Sequence, residues 1–206
     1  MEDQTDNKRR MYNAFSQGLD SFEIVAYHGT SLQALKRVIK TGRQVNDNCT
    51  YRQGDIFVYP ISARAKLPFE REICDEAEVL EGAKSYAENT ARDHYLAEVL
   101  GIDLSVPTQV RGIFEGNIED LRTSLHKITG KSYGWNEAVR LYEKIKQKRG
   151  IVLGYSQRIF ERGEPMPDPE EGMEMSVRVL HVDIESIIGI EPLDQESYDF
   201  LTSLES

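Results

Sequence analysis

The sequence predicts an α+β fold with a largely antiparallel sheet and flanking helices. Runs with strand character and runs with helical spacing are mixed, but not in the strict βαβα order that a parallel sheet requires. Three segments carry apolar residues at helical intervals, while the last third is mostly short β-branched or aromatic runs separated by turn residues. The 206 residues, 39% of them from the AVILMFWYC set, suit a single core, and no linker or repeat divides the chain.

Taken in order, residues 1–20 are polar, with Met11, Phe15 and Leu19 four apart. They read as an N-terminal arm or one short helix ahead of a single domain over 21–206. Residues 22–27 predict a strand that runs into a polar turn, His28-Gly29-Thr30-Ser31. Thr30 or Ser31 then caps a helix whose apolar face is Leu32, Leu35, Val38 and Ile39, stopped by Gly42. Residues 54–60 predict a second strand closed by Pro60, and the acidic stretch from Glu70 to Glu81 reads as a solvated face. A helix is expected over 79–100 with Gly101 behind it, then a strand over 110–114, then a helix capped by Asn136 and ending in Lys146, Lys148 and Arg149. Residues 151–155, 158–160, 173–182 and 187–190 read as strands, and Tyr198, Leu201 and Leu204 mark a short terminal helix.

Composition removes several function classes. With 25 Lys and Arg against 35 Asp and Glu the formal charge is −10, which disfavours long nucleic acids but leaves small anionic cofactors allowed. Cys49 and Cys74 read as reduced thiols, and the four histidines show no metal-ligand spacing, so no metal is expected. GxGxxG, GxxxxGK[ST] and GxSxG are absent. No apolar run is long enough to span a membrane and the N-terminus has no secretory h-region, so a cytoplasmic location is expected.

The segment Tyr27-His28-Gly29-Thr30-Ser31, followed by its helix, resembles the opening of the ADP-ribosyltransferase superfamily. Within it, the similarity is to the diphtheria-toxin-like branch, the H-Y-E class that includes poly(ADP-ribose) polymerase catalytic domains. Residues 54–59 are similar to that family's second strand, and Ala83-Lys84-Ser85-Tyr86-Ala87 to its following helix. The resemblance implies a split, largely antiparallel sheet and NAD as co-substrate. NAD would be held by His28, Gly29, Thr30 and Ser62, with nicotinamide between Tyr59 and Tyr86. It also implies a glutamate near a late strand, for which Glu170, Glu171 and Glu174 are candidates and Glu174 is favoured; Glu191 lies too far along. His28, Tyr59 and Glu174 would then form the catalytic set.

The chemistry suits the assignment. An imidazole bonds a ribose hydroxyl, and a glycine lets backbone N–H and C=O reach a carboxamide. Tyrosine faces stack on a flat cationic ring, and a carboxylate stabilises the charge that develops as nicotinamide departs. The resemblance thus implies a mono-ADP-ribosyltransferase with a protein as acceptor, of a class rich in bacterial and phage toxins and effectors, some paired with neutralising partners. Alternatives are a non-catalytic nucleotide- or protein-binding module on the same fold, an RNA 2′-phosphotransferase, and an acidic protein that mimics nucleic acid.

Overall fold

The computed structural model describes residues 4–44, 56–70, 74–101, 117–167, 175–180 and 182–205. Its main sheet has six strands in the order β5-β6-β3-β1-β4-β8, with every neighbouring pair antiparallel. The strands are β1 (Ala26–Thr30), β3 (Ile56–Pro60), β4 (Ile151–Tyr155), β5 (Met166–Pro167), β6 (Val177–Val179) and β8 (Ile187–Pro192). A short ladder of β2 (Arg43–Gln44) with β7 (Val182–Asp183) lies beside it. The helices are α1 (Gln4–Gln17), α2 (Leu32–Thr41), α3 (Glu76–Leu100), α4 (Ile118–Thr129), α5 (Trp135–Lys146), α6 (Arg158–Arg162) and α7 (Gln195–Thr202). The fold is therefore α+β, and none of these helices is long and apolar enough to cross a membrane.

Alternation along the strands divides the core between the two faces of the sheet. Ala26, Ile56, Val58, Ile151, Leu153 and Tyr155 share one buried cluster with Met11 of α1, Leu35 of α2 and Leu201 of α7. Tyr27, Val152, Ile61 and Ile24 share another with Val79 and Ala83 of α3. A third cluster joins the C-terminal half of α3 to the α4–α5 hairpin through Leu96, Ala97, Leu121, Leu125, Leu141 and Ile145.

Caps explain several boundaries. Ser31 accepts the Ala34 N–H (3.1 Å) at the start of α2, and Gly42 ends that helix at φ 71°. Asp75 and Glu78 form a reciprocal capping box, so α3 starts at Glu76 within the acidic stretch, while Glu70, Asp75, Glu78 and Glu81 are exposed as a solvated face requires. Asp194 caps α7 through the Ser197 N–H (2.9 Å) and accepts Arg149 N–H (2.9 Å) and Gly150 N–H (3.0 Å) with its other oxygen. Burial pushes this carboxyl up, but these bonds outweigh it and hold it below the usual carboxylate range. Asp194→Ala is expected to lower stability at pH 7 by about 2 kcal/mol, measured by urea unfolding. A loss under about 0.5 kcal/mol would show that water replaces the carboxylate at the three N–H groups.

Several elements depart from the sequence reading. The first strand begins at Ala26 and continues through Thr30, so His28-Gly29-Thr30 is strand rather than turn, because β4 pairs with it along this whole length. Phe22, placed in the strand by its β propensity, is 87% exposed ahead of it. Residues 158–160 lie in the single-turn helix α6, closed by Gly163 N–H to Ile159 C=O (2.9 Å). Three residues carry no period long enough to separate strand from helix. The structure adds helix α4, which Asn117 and Asp120 cap and whose Leu121 and Leu125 are buried at helical spacing. Gly134, not Asn136, precedes the first residue of α5. Lys148 and Arg149 serve more than a helix dipole, since they pair with Glu196 and Glu88. The strand expected over 110–114, Cys49 and His181 lie outside the described residues.

Candidate active site

The sheet opens beside His28. β1 and β3 are paired at Ala26↔Pro60 and Tyr27↔Tyr59, and the ladder stops there, although both strands continue past that point. Residues 28–30 of β1 therefore keep β4 on one side and lack a β3 partner on the other. Val25 divides its backbone between the neighbours, its C=O accepting Ile61 N–H (2.8 Å) and its N–H donating to Tyr155 C=O (2.8 Å), and Pro60 has no N–H to offer Ala26, so Tyr27 and Gly29 are the β1 residues whose backbone polar groups point toward β3. Gly29 N–H and C=O accordingly face the opening.

The His28 ring bridges this opening, its Nδ1 2.7 Å from the Phe57 carbonyl oxygen. A carbonyl only accepts, so Nδ1 carries the proton, and in the neutral ring Nε2 is left as an acceptor. Burial pushes the His28 pKa down from 6.5 to about 4, against the opposing pull of the Phe57 bond. The ring is thus neutral at pH 7. The unfolded chain takes up a proton near pH 6.5 and the folded chain only near 4, so the stability present at neutral pH falls as pH drops through this window. The expected loss is on the order of 3 kcal/mol. Comparing urea midpoints at pH 7 and pH 4.5 tests it, and a His28→Gln variant with the same acid sensitivity would remove His28 as the cause.

The wall facing the opening is α3. A Cβ on Gly82 would lie 3.0 Å from Cε1 of Tyr59, so the Tyr59 ring rests against the helix at that glycine. Tyr86 stands one turn further along the same helix face, its ring centroid 5.8 Å from that of His28. Both tyrosines are half-buried. Gly29 touches α3 from the other direction, because a Cβ there would meet Ala83 O at 2.0 Å and Ala87 N at 2.3 Å. Thr30 is buried at the end of β1. Ser31 next to it lies 2.5 Å from Nδ1 of His94, which ties the strand end to α3.

The structure thus gathers His28, Gly29, Tyr59 and Tyr86, with Thr30 at the edge of the group. Ser62 follows β3, where its hydroxyl accepts the Cys74 N–H (3.0 Å) and fastens the chain entering α3. Glu170, Glu171 and Glu174 lie outside the described residues; Met175, next to Glu174, packs in the cluster that contains Tyr59.

Sequence reasoning missed the polar group behind this wall. Tyr27 Oη donates to Glu76 Oε1 (3.0 Å), and Glu76 Oε2 pairs with Arg64 (2.8 Å), which also reaches Ile24 C=O (3.3 Å). Burial, then the Glu76 bond, raises the Tyr27 pKa above its ordinary value. The capping pattern Asp75-Glu76-Ala77-Glu78 was the available signal, since it places Glu76 in a first helical turn. Among the described residues no group of three or more His, Cys, Asp or Glu side chains is arranged to hold a metal ion.

Comparison of the chain with protein-family models, with curated proteins and with solved structures finds no match.

Proposed function

We propose that the chain is an NAD-dependent mono-ADP-ribosyltransferase. One observation carries the reading: the β1–β3 ladder ends where a neutral histidine, a glycine backbone and two tyrosines converge. Nε2 of His28 is suited to accept a ribose hydroxyl, and Gly29 N–H and C=O match the acceptor and donor of a carboxamide. Tyr59 on β3 and Tyr86 on α3 offer faces for the nicotinamide ring. Glu174 would bond the 2′-hydroxyl of the nicotinamide ribose. As the glycosidic C–N bond breaks, nicotinamide leaves with the electron pair, and the carboxylate stabilises the cationic ribose until the acceptor attacks C1′ and releases its proton.

The reading is tested by incubating the purified chain with NAD labelled in the adenosine half, with and without a cell lysate, and following nicotinamide release and label transfer. Release with label on a discrete acceptor band is the expected result. NAD binding without release would select a non-catalytic nucleotide module. Absence of NAD binding would sink the proposal altogether.

A further inference from the structure

The formal charge of the whole chain conceals a strong segregation. Residues 117–150, which build α4, α5 and their connections, hold 8 of the 25 Lys and Arg but only 4 of the 35 Asp and Glu. That segment is net +4 within a chain of −10. Ion pairs absorb Arg122 with Glu119, Lys148 with Glu196, and Arg149 with Glu88. Lys127, Lys131 and Arg140 are exposed and pair with no carboxylate among the described residues. Lys127 is in the last turn of α4, Lys131 in the connection and Arg140 in the second turn of α5, so two mark the hairpin tip and the third lies just behind it.

At the same tip stands Trp135, the chain's one tryptophan, 53% exposed. Surface indoles are uncommon because each leaves a large apolar area in water. The Arg122 guanidinium sits 5.8 Å from the ring centroid, and more than half of the side chain still faces solvent. Trp135 lines a shallow, solvent-open depression with Gly134, Asn136, Glu137 and Arg140, where a base can lie against the indole.

We propose that this hairpin tip binds a short stretch of single-stranded nucleic acid, with a base stacked on Trp135 and flanking phosphates on Lys127, Lys131 and Arg140. Every base offers a face to an indole, and Asn136 and Glu137 supply a donor and acceptors for a base edge. An acidic peptide would use the cations but leave the indole and the amide unexplained. The remainder of the chain, at −14, repels a longer polyanion and confines contact to a few nucleotides. This inference does not rest on the NAD reading, and its test contains no NAD.

The intact chain is titrated with fluorescently labelled ten-residue oligo(U) and oligo(dT), read by anisotropy and by quenching of the Trp135 emission. Saturable quenching is expected, and with three phosphates engaged the affinity falls about 20-fold between 50 and 200 mM salt. Trp135→Ala weakens binding about tenfold with the melting temperature unchanged, since the side chain is exposed. The Lys127→Glu, Lys131→Glu double variant flattens the salt dependence. Three results would overturn the proposal: no binding of either oligonucleotide at 50 mM salt, unchanged affinity in Trp135→Ala, or polyglutamate competing as strongly as the oligonucleotide. The last would assign the tip to an acidic protein.

Discussion

Gly29→Ala is expected to destabilise the chain by about 3 kcal/mol or more, a large share of the 5–15 kcal/mol that holds a typical domain folded. The added Cβ would lie 2.0 Å from Ala83 O, 2.3 Å from Ala87 N and 2.9 Å from Ala87 Cα. All three are backbone atoms of one helix, so no side chain can rotate away. Retreat of α3 by over an ångström would break the Ser31–His94 bond and lift the helix from Tyr59. The gain from a stiffer unfolded chain, about 0.4–1 kcal/mol for Gly→Ala, is too small to offset this. Gly18→Ala is the control: at φ +64° with no atom within 4 Å it meets only left-handed strain, about 1–2 kcal/mol. Urea midpoints that place Gly29→Ala level with Gly18→Ala would show that α3 yields easily at this contact. Gly29 is therefore required by helix packing whatever the neighbouring opening binds.

Glu174→Gln is expected to reduce nicotinamide release and label transfer by two to three orders of magnitude while leaving NAD affinity within a few-fold of wild type. Glutamine keeps the size and one acceptor of the carboxylate but not its charge. Charge matters most where a cation develops, and removing one preorganised stabilising group of this kind costs about 2.7–4 kcal/mol in the transition state. Glu170→Gln and Glu171→Gln serve as internal comparisons. Loss confined to one of those two would move the role there, and full activity in all three variants would refute the carboxylate mechanism while leaving NAD binding intact.

The sequence was most informative where one helical turn holds the whole signal. Ser31 and Gly42 bracket α2, and Gly101 ends α3, because a cap joins groups three or four residues apart. The same local logic holds at Asn117-Ile118-Glu119-Asp120, where Asp120 takes the place usually held by Glu or Gln, and it sets the expected start of α5 two residues late because Asn136 is the better cap type and yet lies inside the helix. Residues 158–160 were too few to distinguish strand from helix. At the candidate site, the motif drew attention to His28, Gly29, Tyr59 and Tyr86, and the described structure places them around one opening. It did not reveal Phe57 as the partner of His28, Gly82 as the seat of Tyr59, or Glu76 as the partner of Tyr27.

Composition, caps and apolar spacing by themselves determined the mixed antiparallel architecture and the chain order of α2, α3, α5 and α7, because these signals act between near neighbours. Only the tertiary structure decided where β1 parts from β3, which nitrogen of His28 carries the proton, and how closely Gly29 approaches α3. Each depends on pairing across 29 to more than 50 residues, and such pairing leaves no local pattern in the sequence.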